Sequence, residues 1–81
     1  NRVVPVAELE VQTMALAQHL ASSAPLALRG VLDCVNFGGE CAIGEGLAYE
    51  AAQFGLVFAT EDMREGTSAF LARRKPEFHG R

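Results

Sequence analysis

"TEDMREGTSAFLARRKP", residues 60–76, carries the start, body and stop signals of one helix. Thr60 has a hydroxyl that can accept a hydrogen bond from an otherwise unpaired amide of the first turn. Glu61 and Asp62 follow where acids complement the positive end of the helix dipole. Arg73, Arg74 and Lys75 fall in the expected last turn, and Pro76 stops the run. Cations beside the last carbonyls gain about 0.3–1 kcal/mol each, which accounts for one or two bases. Four cations among the last nine residues, with Phe70 and Phe78 around them, leave an excess. That excess is either helix-end electrostatics or a place to hold an anion.

Upstream the chain reads as three further helices. Over residues 42–58, Ile43, Leu47, Ala51, Phe54 and Phe58 share one face, and Gly44, Gly46 and Gly55 interrupt it. Each glycine lowers helix propensity by up to ~1 kcal/mol relative to Ala, so their presence predicts a tightly packed neighbour. Over residues 25–37, Leu28, Val31, Leu32 and Val35 recur at i, i+3, i+4, i+7. Pro25 suits a first helical position, and Gly38-Gly39 predicts a left-handed close. Over residues 6–21, Val6, Leu9, Leu16 and Leu20 form a stripe broken by Thr13, with Glu8 and Glu10 in the first turns. Val3 and Val4 read as the end of a strand stopped by Pro5. The expected fold class is therefore all-α, about four helices, with one strand remnant and no sheet for it to join.

Composition limits what such a chain does. With 81 residues, 49% hydrophobic and 21% charged, it is globular rather than disordered. A domain this small buries only roughly 60% of the surface its unfolded form exposes, so its independent stability is marginal. The net charge of −3 is unevenly placed, because residues 1–72 carry −6 and the last nine carry +3. An acidic body repels nucleic acid and leaves only the tail for a small anion. No apolar run approaches the ~20 residues that span a bilayer. Cys34 and Cys41 have neither CxxC spacing nor a histidine at metal-ligand distance in sequence, so no metal site is expected. Two reduced thiols fit a cytoplasmic setting.

Catalytic constellations are missing. There is no GxSxG elbow and no GxxxxGK[ST] loop. Glu61 and Asp62 could form a general acid/base pair, but capping and the helix dipole explain them more simply. Glu45 and Glu50 point in different directions on a helix, and His19 sits near a helix C-terminus. No residue of the chain is assigned a catalytic role.

At this point "FATEDMREGTSAFLARRKPEFHGR", residues 58–81, closely resembles the C-terminal segment of the enoyl-CoA hydratases of the crotonase superfamily. That segment typically reads TEDxxEGxxAFxEKRxPxFxG. "NRVVP", "APLALRG" and "EGLAYEAAQFGLVFAT" are similar to the family in the same order and spacing, so the resemblance covers the whole chain. The motif is moderately specific for the superfamily and weak for choosing among its reactions.

The resemblance implies that residues 1–5 are the junction from an N-terminal spiral domain, the bearer of the oxyanion hole and catalytic carboxylates. Residues 6–81 would then be a C-terminal helical oligomerisation domain. The implied parent reaction is hydration of a 2-enoyl-CoA to a 3-hydroxyacyl-CoA, needing no cofactor beyond the acyl-CoA substrate. Implied partners are the chain's own N-terminal catalytic domain and further copies in a trimer or hexamer, with no nucleic acid and no membrane. An enoyl-CoA isomerase or another crotonase-fold acyl-CoA enzyme is the alternative. A helical interaction module without catalysis is the alternative from another class.

Two positions correspond to residues that the family places beside coenzyme A. Phe54, in "AAQFGLVF", matches an aromatic of the penultimate long helix. Arg73, in "AFLARRKP", matches the lysine of "AFxEKRKP". The sequence departs from the pattern at Ala72, in place of Glu, and at Arg73 itself. Arginine keeps the charge but favours planar, two-pronged contacts with phosphate. Phe54 shares a face with Leu47 and Phe58 and is equally readable as core.

Overall fold

A computed structural model describes residues 2–81, and it contains four α-helices in an open arrangement. A 3₁₀ turn over Val6–Glu8 leads into α1 (Leu9–Ala21), followed by α2 (Pro25–Gly38), α3 (Ile43–Phe58) and α4 (Glu61–Ala72). The all-α, four-helix expectation holds. Val3 and Val4 lie in no regular element, and no strand occurs among the described residues.

Local chemistry explains most boundaries. Pro5 fixes an extended entry, and its carbonyl accepts from the Glu8 amide at 2.9 Å to close the first turn. At the far end of α1 the Ser22 and Ser23 hydroxyls both donate to the His19 carbonyl, at 2.8 and 3.1 Å. Those bonds reinforce a last-turn carbonyl that also accepts the Ser22 amide at 3.2 Å. Pro25 then starts α2 from an extended Ala24. Thr60 joins two helices: its hydroxyl donates to the Val57 carbonyl at 2.7 Å and accepts from the Met63 amide at 3.1 Å.

The expected left-handed close at Gly38-Gly39 is not formed. Gly39 ends α2 with φ −72°, in the right-handed region. A Cβ on Gly38 would meet nothing within 4 Å, and the close approach between helices is served by Gly46 and Gly30. α2 and α3 form an antiparallel hairpin, and a Cβ on Gly46 would stand 3.4 Å from the Gly38 Cα. Farther along, Gly30 is buried with the Val57 side chain 3.5 Å from where its Cβ would be. The Phe37 and Tyr49 rings meet between these points, with centroids 4.5 Å apart. Of the α3 glycines, Gly46 therefore packs closely as expected, whereas Gly44 and Gly55 face open space.

Elsewhere little is covered. The radius of gyration is 15.8 Å and the extents are 43 × 37 × 18 Å, against about 12 Å for a compact domain of this length. Ala69 is the buried hydrophobic residue among those described, and no large side chain is fully enclosed. Leu9, Val11, Met14, Leu16 and Leu20 all lie exposed along α1, which makes at most marginal contact with any other α-helix. Fully burying one such side chain is worth about 1.5–3 kcal/mol, so this face is a large unrealised contribution.

The last nine residues fold back. After α4 the chain reverses at Arg73 and runs along the helix to its start, where the Asp62 amide donates to the Arg81 carbonyl at 3.0 Å. Phe78 lies over Gly66, 3.3 Å from where a Cβ would be. Gly80, at φ +73°, brings the end against Pro25. The reversal at Arg73 uses the left-handed conformation (φ 52°, ψ 39°), which costs a residue with a Cβ roughly 1–2 kcal/mol.

Candidate functional site

Arg73 and Phe54 lie at two different places: the basic end of α4 and a groove between α2 and α3. At the basic end, the four cations have different fates. Arg74 is bound to Glu65 through both prongs, Nη1 to Oε1 at 2.6 Å and Nη2 to Oε2 at 2.8 Å. Arg81 pairs with Glu61 at 2.8 Å. Arg73 and Lys75 are exposed and make no side-chain ion pair among the described residues. The expected last-turn bases are therefore displaced, because α4 ends at Ala72 and all three lie beyond it. Arg74 does not complement the helix terminus but is committed to a carboxylate upstream.

Two acids organise this turn-back, and sequence reasoning took neither for a tail anchor. Asp62, only 3% exposed, accepts from the His79 amide at 2.7 Å and the Gly80 amide at 2.8 Å. Its partners lie 17 and 18 residues away, which makes it a tertiary anchor beyond its expected place in the first turn. Glu65 accepts from Arg74 and from the Glu77 amide at 2.9 Å. The Arg74 guanidinium first, and then the Glu77 amide, hold the Glu65 carboxyl down to about 2. The Glu65 partnership in turn pushes Arg74 above its ordinary value. The available signal was the i, i+3 spacing of Asp62 and Glu65, which puts two acids on one face of the helix ahead of a basic tail.

These contacts also exclude a reading. With Asp62 taken up by backbone amides and Glu65 by an arginine, neither carboxylate is poised to move a proton. Among the described residues no three His, Cys, Asp or Glu side chains converge as metal ligands. Cys34 and Cys41 are free thiols, and His19 stands exposed in the last turn of α1.

The groove, about 490 Å³ in volume, is lined by Gly30, Val31, Cys34, Val35, Phe54 and Val57, with Glu50 and Gln53 adding polar groups. Gly30 opens it, because a larger residue there would reach toward Val57. Phe54 is 64% exposed and leans on Phe58, with centroids 5.5 Å apart. In this chain Phe54 is thus no core residue. Phe54 stands on α3 and Arg73 just beyond the end of α4, two helices that barely touch.

No helix of the described residues is long and apolar enough to cross a membrane. The family model described as enoyl-CoA hydratase/isomerase matches residues 1–81. A 2,3-dehydroadipyl-CoA hydratase of Escherichia coli is 46% identical over 82% of the chain and 26% of its own length. The methylmalonyl-CoA decarboxylase of the same organism is 39% identical over 99% of the chain and 31% of its own length. Among solved structures, an enoyl-CoA hydratase subunit of Geobacillus kaustophilus superposes with a TM-score of 0.92 at 44% identity. That match covers 100% of this chain and 32% of the other. The chain thus spans roughly a quarter to a third of the length of the proteins it matches.

Proposed function

This chain belongs to the enoyl-CoA hydratase/isomerase family, and from that premise we propose that it is the C-terminal helical part of an acyl-CoA hydratase. The parent enzyme adds water across the double bond of a 2-enoyl-CoA. This part serves assembly and completes the coenzyme A site. The observation that carries the reading is the pairing of a match along the whole chain with apolar faces on α1 and α3 that nothing in the chain covers. Such faces belong against an N-terminal catalytic domain and neighbouring copies, in a trimer or a hexamer, in the cytoplasm. The catalytic amides and carboxylates lie outside these residues, so the isolated chain does not hydrate crotonyl-CoA above the buffer rate.

Phe54 offers an aromatic surface to the ligand, and Arg73 offers an unpaired guanidinium to a nucleotide phosphate. An exposed contact of this kind is modest, and salt weakens it. Replacing Arg73 by Ala in the intact enzyme therefore raises KM for an acyl-CoA several-fold and leaves kcat nearly unchanged, the pattern of lost uniform binding. A substrate truncated to the pantetheine thioester has no nucleotide phosphates and shows no such loss. Equal loss on both substrates refutes the assignment. The match to a methylmalonyl-CoA decarboxylase favours one second reading, another acyl-CoA reaction on the same scaffold, which assays with that ester would reveal.

A further inference from the structure

Among the described residues, Arg73 is the one residue other than glycine with a positive φ. Its amide donates to the Phe70 carbonyl at 3.2 Å, and the next amide, of Arg74, donates to the Ala69 carbonyl at 3.0 Å. This is the left-handed close that helices ordinarily assign to glycine. An arginine persists in such a conformation only where its surroundings over-determine it, and strain of this kind gathers where a side chain has a task.

Asp62 holds the far end of the tail, and the carboxylate nearest the strained turn is that of Glu65. Glu65, its side chain 26% exposed, grips the residue after the strained turn through two bonds of 2.6 and 2.8 Å. The same carboxylate takes the amide of Glu77 at 2.9 Å. Residues 74 and 77 are thus fixed to a point two turns back on α4, and the backbone between helix and tail has little freedom left. The grip also neutralises Arg74, the base adjacent to Arg73. A phosphate approaching this corner meets Arg73 with its charge unspent beside a neighbour whose charge is already matched.

We infer that Glu65 is a positioning residue: by clamping Arg74 and the Glu77 amide it holds the strained turn that presents Arg73 to the phosphate of an acyl-CoA. The inference rests on the assignment of Arg73 made under Proposed function. Its rival is that Glu65 only staples the tail to α4.

The intact enzyme separates them through steady-state kinetics on an acyl-CoA and on the matching pantetheine thioester. Glu65→Gln keeps the size and loses the charged two-pronged grip. It should raise KM for the acyl-CoA about threefold, leave kcat unchanged, and leave KM for the pantetheine ester unchanged. Added to Arg73→Ala it should raise KM no further, because residues that act through one contact are not additive. Arg73→Gly should raise KM as Arg73→Ala does while Tm holds or rises by a few degrees, because glycine relieves the strained turn. If Glu65→Gln leaves KM untouched while Arg73→Ala raises it, or if the two effects multiply, the positioning role is refuted and the Arg73 contact stands. If Arg73→Ala is silent, the contact itself falls and the positioning role with it. Equal losses on both esters make Glu65 a staple. Should Glu65→Gln not fold, Arg74→Met cuts the same grip from the other side with the same expectations. Failure of both to fold also leaves Glu65 a staple and overturns the inference.

Discussion

The first helix and the last resemble each other in length and differ in almost everything that holds them. α4 is tied at both ends. Thr60 caps its start, Asp62 and Glu65 receive the returning tail, and Ala69 is sealed beneath. α1 has a hydroxyl-capped C-terminus and little packing beyond its own 3₁₀ lead-in. Its apolar side chains are exposed, as are Phe70 and Leu71 at the far end of α4, whereas Met63 and Phe78 beside Asp62 are half-buried. A small unit can therefore be secured by polar bonds of medium sequence separation while its apolar faces stay free for other surfaces. Secured polar ends and free apolar faces suit a part that fits into an assembly.

The sharpest way to break this contrast is amide exchange on the isolated 81-residue chain. Local opening follows local contact density, so α4 amides should exchange about a hundredfold or more slowly than those of α1. Equal rates would mean that the tail contacts add no local stability.

Removing the anchor comes next. Asp62→Ala leaves the His79 and Gly80 amides without their acceptor in a nearly buried setting. That should cost about 2 kcal/mol in urea denaturation and speed exchange across residues 77–81. A variant as stable as the parent would show that water replaces the carboxylate freely.

Glu65 supplies a pH-dependent test. Its carboxyl titrates at about 2 in the folded chain against an ordinary 4.5, so the unfolded chain takes up the proton first as acid is added. The contribution of this clasp is then complete above about 4.5 and is lost as the pH falls from there through 2. Arg74, the Glu77 amide and His79 all push in this direction. Carboxyl NMR that shows Glu65 titrating with the ordinary glutamates would dissolve the clasp.

The smallest effect belongs to Arg29 and Asp33, an i, i+4 pair at 2.9 Å on the outer face of α2 with Arg29 mostly exposed. Arg29→Ala should change stability by about 0.3–0.5 kcal/mol. A loss several times larger would mean that this face is covered in the assembly.

Much of the fold was legible because its punctuation is local. Pro25, Thr60 and the serines at 22 and 23 act on neighbours within four residues, and the helices begin and end beside them. The Gly38-Gly39 pair misled because glycine permits a left-handed turn without requiring one, and Gly39 keeps a right-handed φ of −72° while Gly38 borders open space. Asp62 was read through its neighbours in the first turn, while its bonds reach the far end of the tail. The excess of bases was visible in composition. Its division into paired Arg74 and Arg81 and unpaired Arg73 and Lys75 depends on the path of the chain after Ala72. The exposure of Phe54 could not be read from its helical face, because a stripe shows which side is apolar and not what lies against it.

The turn-back onto α4 also bears on the order in which the molecule acquires its shape. The tail's bonds to the Glu65 and Asp62 carboxylates close loops of 9 to 18 residues, and loops of about ten residues close in roughly 10–100 ns. Such a hairpin pays little chain entropy before its contacts form and needs no second molecule to finish. α1, by contrast, has no such contacts of its own, and under the proposed assembly it would gain them only from a foreign surface, at a rate set by concentration if that surface belongs to another copy. Maturation would therefore run in two tempos, a fast unimolecular closing at one end and a slow docking at the other. A dilution series of refolding should show one phase indifferent to protein concentration and one that tracks it.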